Sequence, residues 1–291
     1  MAQKKKIWEA VIHGMFLVLG LITVGCVLLI TVYLVISGIP AIRKIGLGAF
    51  LTGKVWESTA AQPHYGILPF ILTSVYGTAG AIVLGVPIGF LTAVYLSKVA
   101  PKGVKRALNS AVSLLAGIPS VVYGLVGMLV LVPAIRKTFH LPDGASLLAA
   151  ILVLAVMILP SIINVSETAL RAVPHEYEEA SLALGATEME TSFRVVLPAA
   201  RSGVATAVVL GVGRAIGEAM AIIMVAGNVS NMPGLFTPVR FLTTGIVSGM
   251  AYAAVGSLYQ QALYSIALVL FLFIMLINVV LNRFIKKRRE D

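Results

Sequence analysis

Two charged residues, Arg214 and Glu218, stand in an otherwise apolar stretch of the 291-residue chain. An arginine at membrane depth costs about 2.5–3.5 kcal/mol on insertion scales, so such a residue usually faces a cavity and has a function. The planar guanidinium matches the oxygens of tetrahedral oxyanions bidentately. The spacing of four residues places both side chains on one face of a continuous helix. We therefore predict that Arg214 contacts an anionic substrate.

Glu218 has two roles that are compatible with an anion path. Its carboxylate can accept a hydrogen bond from a protonated oxyanion, and it can neutralise Arg214 so that the anion does not bind too tightly to leave. The alternative is a self-satisfied ion pair that only holds helices together. The order Arg before Glu is the weaker orientation of a helical pair, which counts against that alternative.

A second candidate segment, residues 116–124, interrupts an apolar stretch with Pro119, Ser120 and Tyr123. A broken membrane helix is tolerated where its freed backbone groups line a cavity or find protein partners. These three residues are therefore candidates for the substrate path. A helix kink without any such role explains them equally well.

The segment 167–198 is polar and carries several helix boundary signals. Pro174 suits the first turn of a short helix, and Gly185 suits its C-terminal end. Thr187, followed by Glu190 three residues later, has the capping-box pattern of a second helix. The segment therefore predicts two short helices joined by a tight turn at the membrane surface, where another protein can bind.

These segments must be positioned by helices that cross a membrane. The chain is 59% hydrophobic and 12% charged, with a mean hydropathy of +0.98, so it has too little polar surface for a soluble globule. A membrane helix needs about 20 mostly apolar residues. Six stretches qualify and predict an all-α integral membrane protein: residues 13–36, 68–96, 108–133, 146–166, 199–226 and 258–282.

Basic residues orient the six predicted spans. With both termini cytoplasmic, fifteen Lys and Arg residues fall in inner segments and six in outer ones, a positive-inside bias. The net charge of +10 then fits lipid headgroups better than nucleic acid, because the basic residues alternate with apolar runs. The first apolar run is longer than that of a signal peptide, so we predict a retained helix.

Glycine and cysteine positions add two further expectations. Gly85 with Gly89, and Gly213 with Gly217, have the spacing at which small residues let membrane helices approach closely. The single cysteine, Cys26, and the four scattered histidines form no grouped ligand set, so we predict no metal site.

The polar segment resembles the EAA loop of ABC importer permeases, in which E-A-A is followed by three residues, Gly, nine residues and I-x-L-P. Every spacing is kept here, although Ser181 replaces the second Ala and Val195 replaces the Ile. The resemblance implies a type I importer permease fold, with a coupling helix that docks on an ATP-binding subunit. The residues that carry this coupling motif are Glu179, Ala180, Ser181, Gly185, Leu197 and Pro198.

The same resemblance implies that partner subunits use ATP and Mg, and that this chain binds no cofactor and is not an enzyme. Residues 48–54 do spell G-x-x-x-x-G-K. However, Val55 stands where a Ser or Thr hydroxyl must hold magnesium, so we discard this match.

Residues 116–124 and 211–221 closely resemble the permeases of the phosphate-specific transport (Pst) system, and residues 65–69 look more like the C-type than the A-type subunit. The resemblance implies import of phosphate by alternating access. The implied partners are a second homologous permease, two ATP-binding subunits, an external phosphate-binding protein and the lipid bilayer, with no nucleic acid. The predicted parts are an N-terminal span with an external loop, a permease core and a basic cytoplasmic tail, at residues 1–66, 67–283 and 284–291.

Other protein classes fit the sequence less well. A secondary transporter should show inverted repeats and an intramembrane ion site. A membrane enzyme needs a nucleophile with a base, or a metal cluster, at membrane depth. The A-type subunit, or a permease for another oxyanion, remains open as an alternative.

Overall fold

The structure is a computed structural model that describes residues 2–290, with side chains for residues 8, 9, 11–281 and 283. Six helical stretches are long and apolar enough to cross a membrane, which confirms the predicted class. They are Val11–Ile45, Leu68–Val99, Ser120–Thr138, Leu147–Arg171, Glu188–Gly217 and Leu258–Leu281. The basic tail predicted at residues 284–291 lies outside the residues whose side chains are described.

The N-terminal half consists of six helices and a small hairpin. Its elements are α1 (Ala2–Ile45), α2 (Leu47–Thr52), β1 (Trp56–Glu57), β2 (His64–Tyr65), α3 (Leu68–Val94), α4 (Lys102–Gly117), α5 (Ser120–Val126) and α6 (Val132–Thr138). The strands β1 and β2 pair antiparallel.

The C-terminal half is helical throughout its named elements. These are α7 (Leu147–Arg171), α8 (His175–Ala183), α9 (Glu188–Thr191), α10 (Leu197–Gly217), α11 (Met220–Val225), α12 (Leu242–Met250) and α13 (Leu258–Glu290). Three π-helical turns extend or join helices of the spans, at Tyr95–Val99, Gly127–Leu131 and Ser192–Val196.

Two predicted spans have different boundaries in the structure. The third, predicted at 108–133, begins only at Ser120, because the backbone is extended at Ile118 and Pro119. Proline also disfavours the helical conformation of the residue before it. The preceding helix α4 carries Lys102, Lys105 and Arg106 and is a separate element. The fifth, predicted at 199–226, ends as a helix at Gly217.

The helix α7 lies at the centre of the fold and packs against α3 and α10. Glycines on α3 allow the close approach: a Cβ atom on Gly85 would lie 2.7 Å from Cδ1 of Ile158, and one on Gly89 would lie 2.9 Å from Cγ2 of Ile162. The predicted packing of this glycine pair is confirmed.

Gly213 and Gly217 do not pack closely against another described helix of this chain. Among the described residues, no atom lies within 4 Å of a Cβ placed at either position. The close contacts of α10 are made instead at Gly203, facing Ala169, and at Gly211, facing Ile162. The helical face that meets α7 is therefore offset from the Gly213–Gly217 pair.

The helix α1 packs against α13 through its C-terminal half. Ser265 Oγ donates a hydrogen bond to Gly38 O at 2.6 Å, and the Tyr33 and Tyr264 hydroxyls are 2.9 Å apart. The apolar side chains nearer the N-terminus, from Val11 to Ile30, are exposed. In a membrane-spanning helix, an apolar surface of this kind faces lipid.

Candidate functional site

Arg214 lies in the last turn of α10 and is half-buried. Its Nη1 donates a hydrogen bond to Ser161 Oγ of α7 at 3.4 Å. This bond orients the guanidinium across the α7–α10 interface. A guanidinium carries five N–H groups, so Arg214 has more hydrogen-bond donors than Ser161 can accept.

Glu218 does not continue the helix that carries Arg214. Its backbone is extended, with φ −73° and ψ 131°. Its Oε1 accepts a hydrogen bond from the Ala221 N–H at 3.0 Å, and its carbonyl accepts one from Thr243 Oγ1 at 2.7 Å. A carboxylate at a helix N-terminus is favourable, so the start of α11 attracts this side chain away from a helical pair.

The expectation that Arg214 and Glu218 share one helical face is therefore wrong. Within residues 2–290 no ion pair joins them. The structure instead places Arg214 before a break in the span and Glu218 at the break. Both remain candidates for contact with an anion, through separate elements.

The second break lies at Ile118–Pro119, immediately before Ser120 and α5. The Tyr123 hydroxyl donates a hydrogen bond across it to Leu115 O at 2.7 Å. This bond gives the Leu115 carbonyl, at the end of α4, a second donor besides the Ile118 N–H, whose nitrogen lies 3.3 Å away.

The two breaks are brought together because α5 packs against α11. A Cβ atom on Gly124 would lie 2.8 Å from the Ala221 Cα, so only glycine allows this approach. Ser120, which begins α5, thus lies on an element that adjoins α11, whose first turn Glu218 caps. The described contacts do not include a hydrogen bond from Ser120 to Arg214 or Glu218.

The predicted pair of short helices is present as α8 and α9. The amides of Gly185 and Ala186 donate to the carbonyls of Leu182 and Ser181 at 2.9 and 3.3 Å, which is a Schellman motif. Gly185 has φ +88°, as a residue at this position requires. The capping box of Thr187 and Glu190 is also confirmed.

The turn between these helices is fixed by a side-chain bond. Ser181 Oγ and Thr191 Oγ1 are 2.8 Å apart, so α8 is tied to the start of the fifth span. Glu179 and Ala180 are exposed, and Leu184 is 89% exposed. The exposed residues of this turn leave it accessible to another protein, as the coupling-loop resemblance implies.

Leu197 and Pro198 open α10, directly after the π-helical turn Ser192–Val196. Leu197 is half-buried in a cluster with Leu170 and Val196. Proline is tolerated here because the first amides of a helix have no helical acceptor.

Sequence analysis missed two ionic contacts. Lys98 forms an ion pair with Glu178 of α8, which is 80 positions away, and no local signal could have revealed it. Glu167 is buried in α7, pairs with Arg171 and accepts a bond from Asn109 Nδ2 at 3.5 Å. Its position at the edge of an apolar stretch was the available signal.

A cavity of about 800 Å³ lies between the β1–β2 hairpin and the segment 227–257. We call it the outer cavity, after the side on which the predicted topology places it. Its lining includes Lys54, Trp56, Glu57 and Arg240. It was not anticipated, because its residues come from two distant parts of the sequence.

The long apolar helices, the two broken spans and the exposed helix pair define a multi-pass membrane permease. Residues 85–290 match the family described as binding-protein-dependent transport system inner membrane component, and the chain belongs to this family. The architecture is that of an ABC type I importer permease.

Individual relatives cover most of the chain. The probable ABC transporter permease protein YqgH of Bacillus subtilis is 40% identical over 278 residues, which are 93% of this chain and 88% of that protein. The phosphate transport system permease protein PstC of Mesorhizobium japonicum is 34% identical over 249 residues, covering 79% and 75% of the two chains. The protein of the same name from Haemophilus influenzae is 34% identical over 285 residues, with 90% and 88% covered.

Solved structures share the fold. A chain of the MetNI methionine ABC transporter has a TM-score of 0.61 at 22% identity, covering 76% of this chain and 95% of its own. A bacterial ABC transporter involved in the import of alginate has a TM-score of 0.63 at 17% identity, covering 98% and 99%.

Proposed function

We propose that this chain is the C-type permease subunit of an ATP-driven importer of inorganic phosphate. The relatives named PstC support the substrate and the subunit type. The observation that carries the site assignment is Arg214, a half-buried guanidinium held by Ser161 next to a break in the membrane span. Its free donors match phosphate oxygens.

The proposed complex contains a second, homologous permease, two ATP-binding subunits and an external phosphate-binding protein. ATP and Mg are used by the ATP-binding subunits, and both termini of this chain are cytoplasmic. The exposed turn of α8 and α9, with Gly185 and Leu184, is the proposed contact with an ATP-binding subunit. The ion pair of Lys98 with Glu178 and the bond of Ser181 with Thr191 then carry its motion to two spans.

In this mechanism phosphate passes along the two breaks. Pro119, Ser120 and Tyr123 line one side, and Arg214 with Glu218 lie on the other. Because Glu218 is held on the α11 backbone, its charge opposes tight binding without neutralising Arg214 directly. An anion that is bound too tightly does not leave, so the nearby carboxylate favours release.

The experiment is uptake of radioactive phosphate by the complete complex in proteoliposomes. Arg214→Gln should lower the rate by roughly 10- to 150-fold, since a lost charge-assisted contact costs about 1.5–3 kcal/mol. Arg214→Lys should fail to restore it, because an ammonium cannot replace the bidentate fork. Arg201→Gln is the matched control: this arginine is exposed on the same helix.

Glu218→Gln removes the negative charge but keeps the hydrogen bond at the start of α11, since a glutamine oxygen can still accept from the Ala221 N–H. We expect slower transport with normal assembly. Wild-type uptake by Arg214→Gln would show that the arginine is structural. Uptake of sulfate instead of phosphate would establish the alternative oxyanion permease.

A further inference from the structure

The outer cavity holds an arginine that is fixed before any ligand arrives. Arg240 Nε donates to the carbonyl and to the side-chain oxygen of Asn228, both at 3.0 Å, and Nη2 donates to the same carbonyl at 2.6 Å. Its Cζ lies 5.8 Å from the ring centre of Phe70. The guanidinium is thus held along one edge by the oxygens of Asn228, and one of its faces lies over the Phe70 ring.

The residue that anchors Arg240 is itself in an uncommon conformation. Asn228 has φ +53°, in the left-handed region that residues other than glycine seldom adopt. Asparagine tolerates this conformation better than most residues with a side chain. Here the conformation lets both oxygens of Asn228 face Arg240.

The charge of Arg240 is not balanced by an acidic partner among the described side chains. Burial lowers the pKa of Arg240, although a guanidinium stays charged at neutral pH. Among the described residues it forms no ion pair, and its Nη1 has no hydrogen-bond partner. A partly desolvated cation without a counter-charge gains from an anion.

The remaining lining suits a small hydrated oxyanion. Lys54 adds a second positive charge, Ser230 and Asn231 add hydrogen-bonding groups, and Glu57 is the acidic residue of the lining. The volume of about 800 Å³ leaves ample room for hydration, since one water takes roughly 30 Å³. The net positive lining with one carboxylate favours weak, reversible binding.

The cavity is connected to the proposed path. Arg240 lies two residues before α12, and Thr243 of that helix donates a hydrogen bond to Glu218 O at 2.7 Å. An anion at Arg240 therefore lies beside the element that contacts the break at Glu218.

We propose that the outer cavity is a second oxyanion site, in which Arg240 and Lys54 hold phosphate weakly before it reaches the spans. The identity of the anion rests on the proposed function. The site itself does not depend on Arg214.

Trp56 provides a direct probe of this cavity. It lines the cavity, and its ring centre lies 5.4 Å from that of Phe70, the ring that contacts Arg240. The chain has two tryptophans, so Trp8→Phe leaves Trp56 as its single indole. The full chain with this substitution, in phospholipid nanodiscs, is titrated with potassium phosphate against potassium chloride at equal ionic strength.

We expect a saturable change in Trp56 emission with phosphate and none with chloride. Arg240→Gln should weaken the response about tenfold or more, because it removes a charged hydrogen-bond donor. Arg201→Gln, which removes an exposed positive charge outside the cavity lining, should leave it unchanged. The titration measures binding alone, so wild-type uptake by Arg214→Gln would overturn the proposed function and leave this site standing.

Two further variants keep the test decisive if Arg240→Gln disturbs the fold. Lys54 and Glu57 are exposed, and no hydrogen bond of their side chains holds the described structure. Lys54→Gln should weaken phosphate binding a few-fold, and Glu57→Gln should strengthen it. Equal responses to phosphate and chloride, or unchanged affinity in both exposed variants, would overturn the proposal.

Discussion

Lys98, in the π-helical turn that follows α3, forms an ion pair with Glu178 of α8. The two side chains are only 15% and 22% exposed, so solvent screens the pair less than it does a surface salt bridge. A π-helical turn often marks a functional position in a helix. This pair directly connects the second span to the proposed coupling helix.

Reversing one charge of this pair should uncouple the complex. In Lys98→Glu two carboxylates face each other, and we expect phosphate transported per ATP hydrolysed to fall by roughly tenfold, which corresponds to about 1.4 kcal/mol. The double variant Lys98→Glu with Glu178→Lys should recover most of the loss. Measurement is by uptake and ATPase assays on the same proteoliposomes.

The control is Glu176→Lys, which reverses an exposed glutamate in the first turn of the same helix. It should change the coupling ratio little. If the double variant performs no better than the single ones, the ion pair does not transmit motion.

Gly185→Val should block uptake while the protein still inserts into the membrane. No atom lies within 4 Å of a Cβ at this position, so the effect comes from the backbone at φ +88° and not from a clash. A left-handed conformation costs an ordinary residue about 1–2 kcal/mol, and more for a β-branched one. The measurement is phosphate-stimulated ATPase activity together with uptake.

Two variants separate strain at Gly185 from strain in general. Gly185→Asn should retain most activity, because asparagine tolerates this conformation. Gly256→Val imposes similar strain at φ +77°, also without a close neighbour, but far from α8 in the sequence. Normal coupling in Gly185→Val would contradict the assignment of α8 as the coupling helix.

Gly38→Leu should loosen the contact between α1 and α13. A Cβ on Gly38 would lie 3.1 Å from Tyr264 O and 3.2 Å from two backbone atoms of Ser265, and Ser265 is buried. Overpacking of this kind costs about 1–3 kcal/mol, so the unfolding temperature in detergent should drop by several degrees. Gly25→Leu, on the same helix with open space around it, should leave that temperature unchanged.

Cysteine labelling should settle the orientation of the spans. In a Cys26→Ser background, Val255→Cys should react with an impermeant thiol reagent added outside intact cells, and Glu188→Cys should not. Val255 is 93% exposed and Glu188 is also exposed, so burial does not explain a difference. Labelling of both positions from the same side would contradict the predicted topology.

Local sequence determined the parts of this protein that depend on short-range physics. Six apolar stretches are long enough to cross the membrane, and this determines the number of spans. Each stretch must be helical, because backbone N–H and C=O groups in lipid have no water to bond and must pair within the helix. The ends of α8 and α9 were also predictable. A glycine at φ +88° and the Thr187–Glu190 capping box depend on residues only a few positions apart.

Tertiary structure decided which chemical groups meet. The helical pair predicted for Arg214 and Glu218 does not form, because the start of α11 and Thr243 of α12 offer Glu218 better partners than a continued helix does. Lys98 meets Glu178 only because folding brings the π-helical turn Tyr95–Val99 to α8. Arg240 and Lys54 share a cavity for the same kind of reason: folding brings together segments that are almost two hundred residues apart. Such contacts depend on helix packing, and they cannot be predicted from the spacing of residues along the chain.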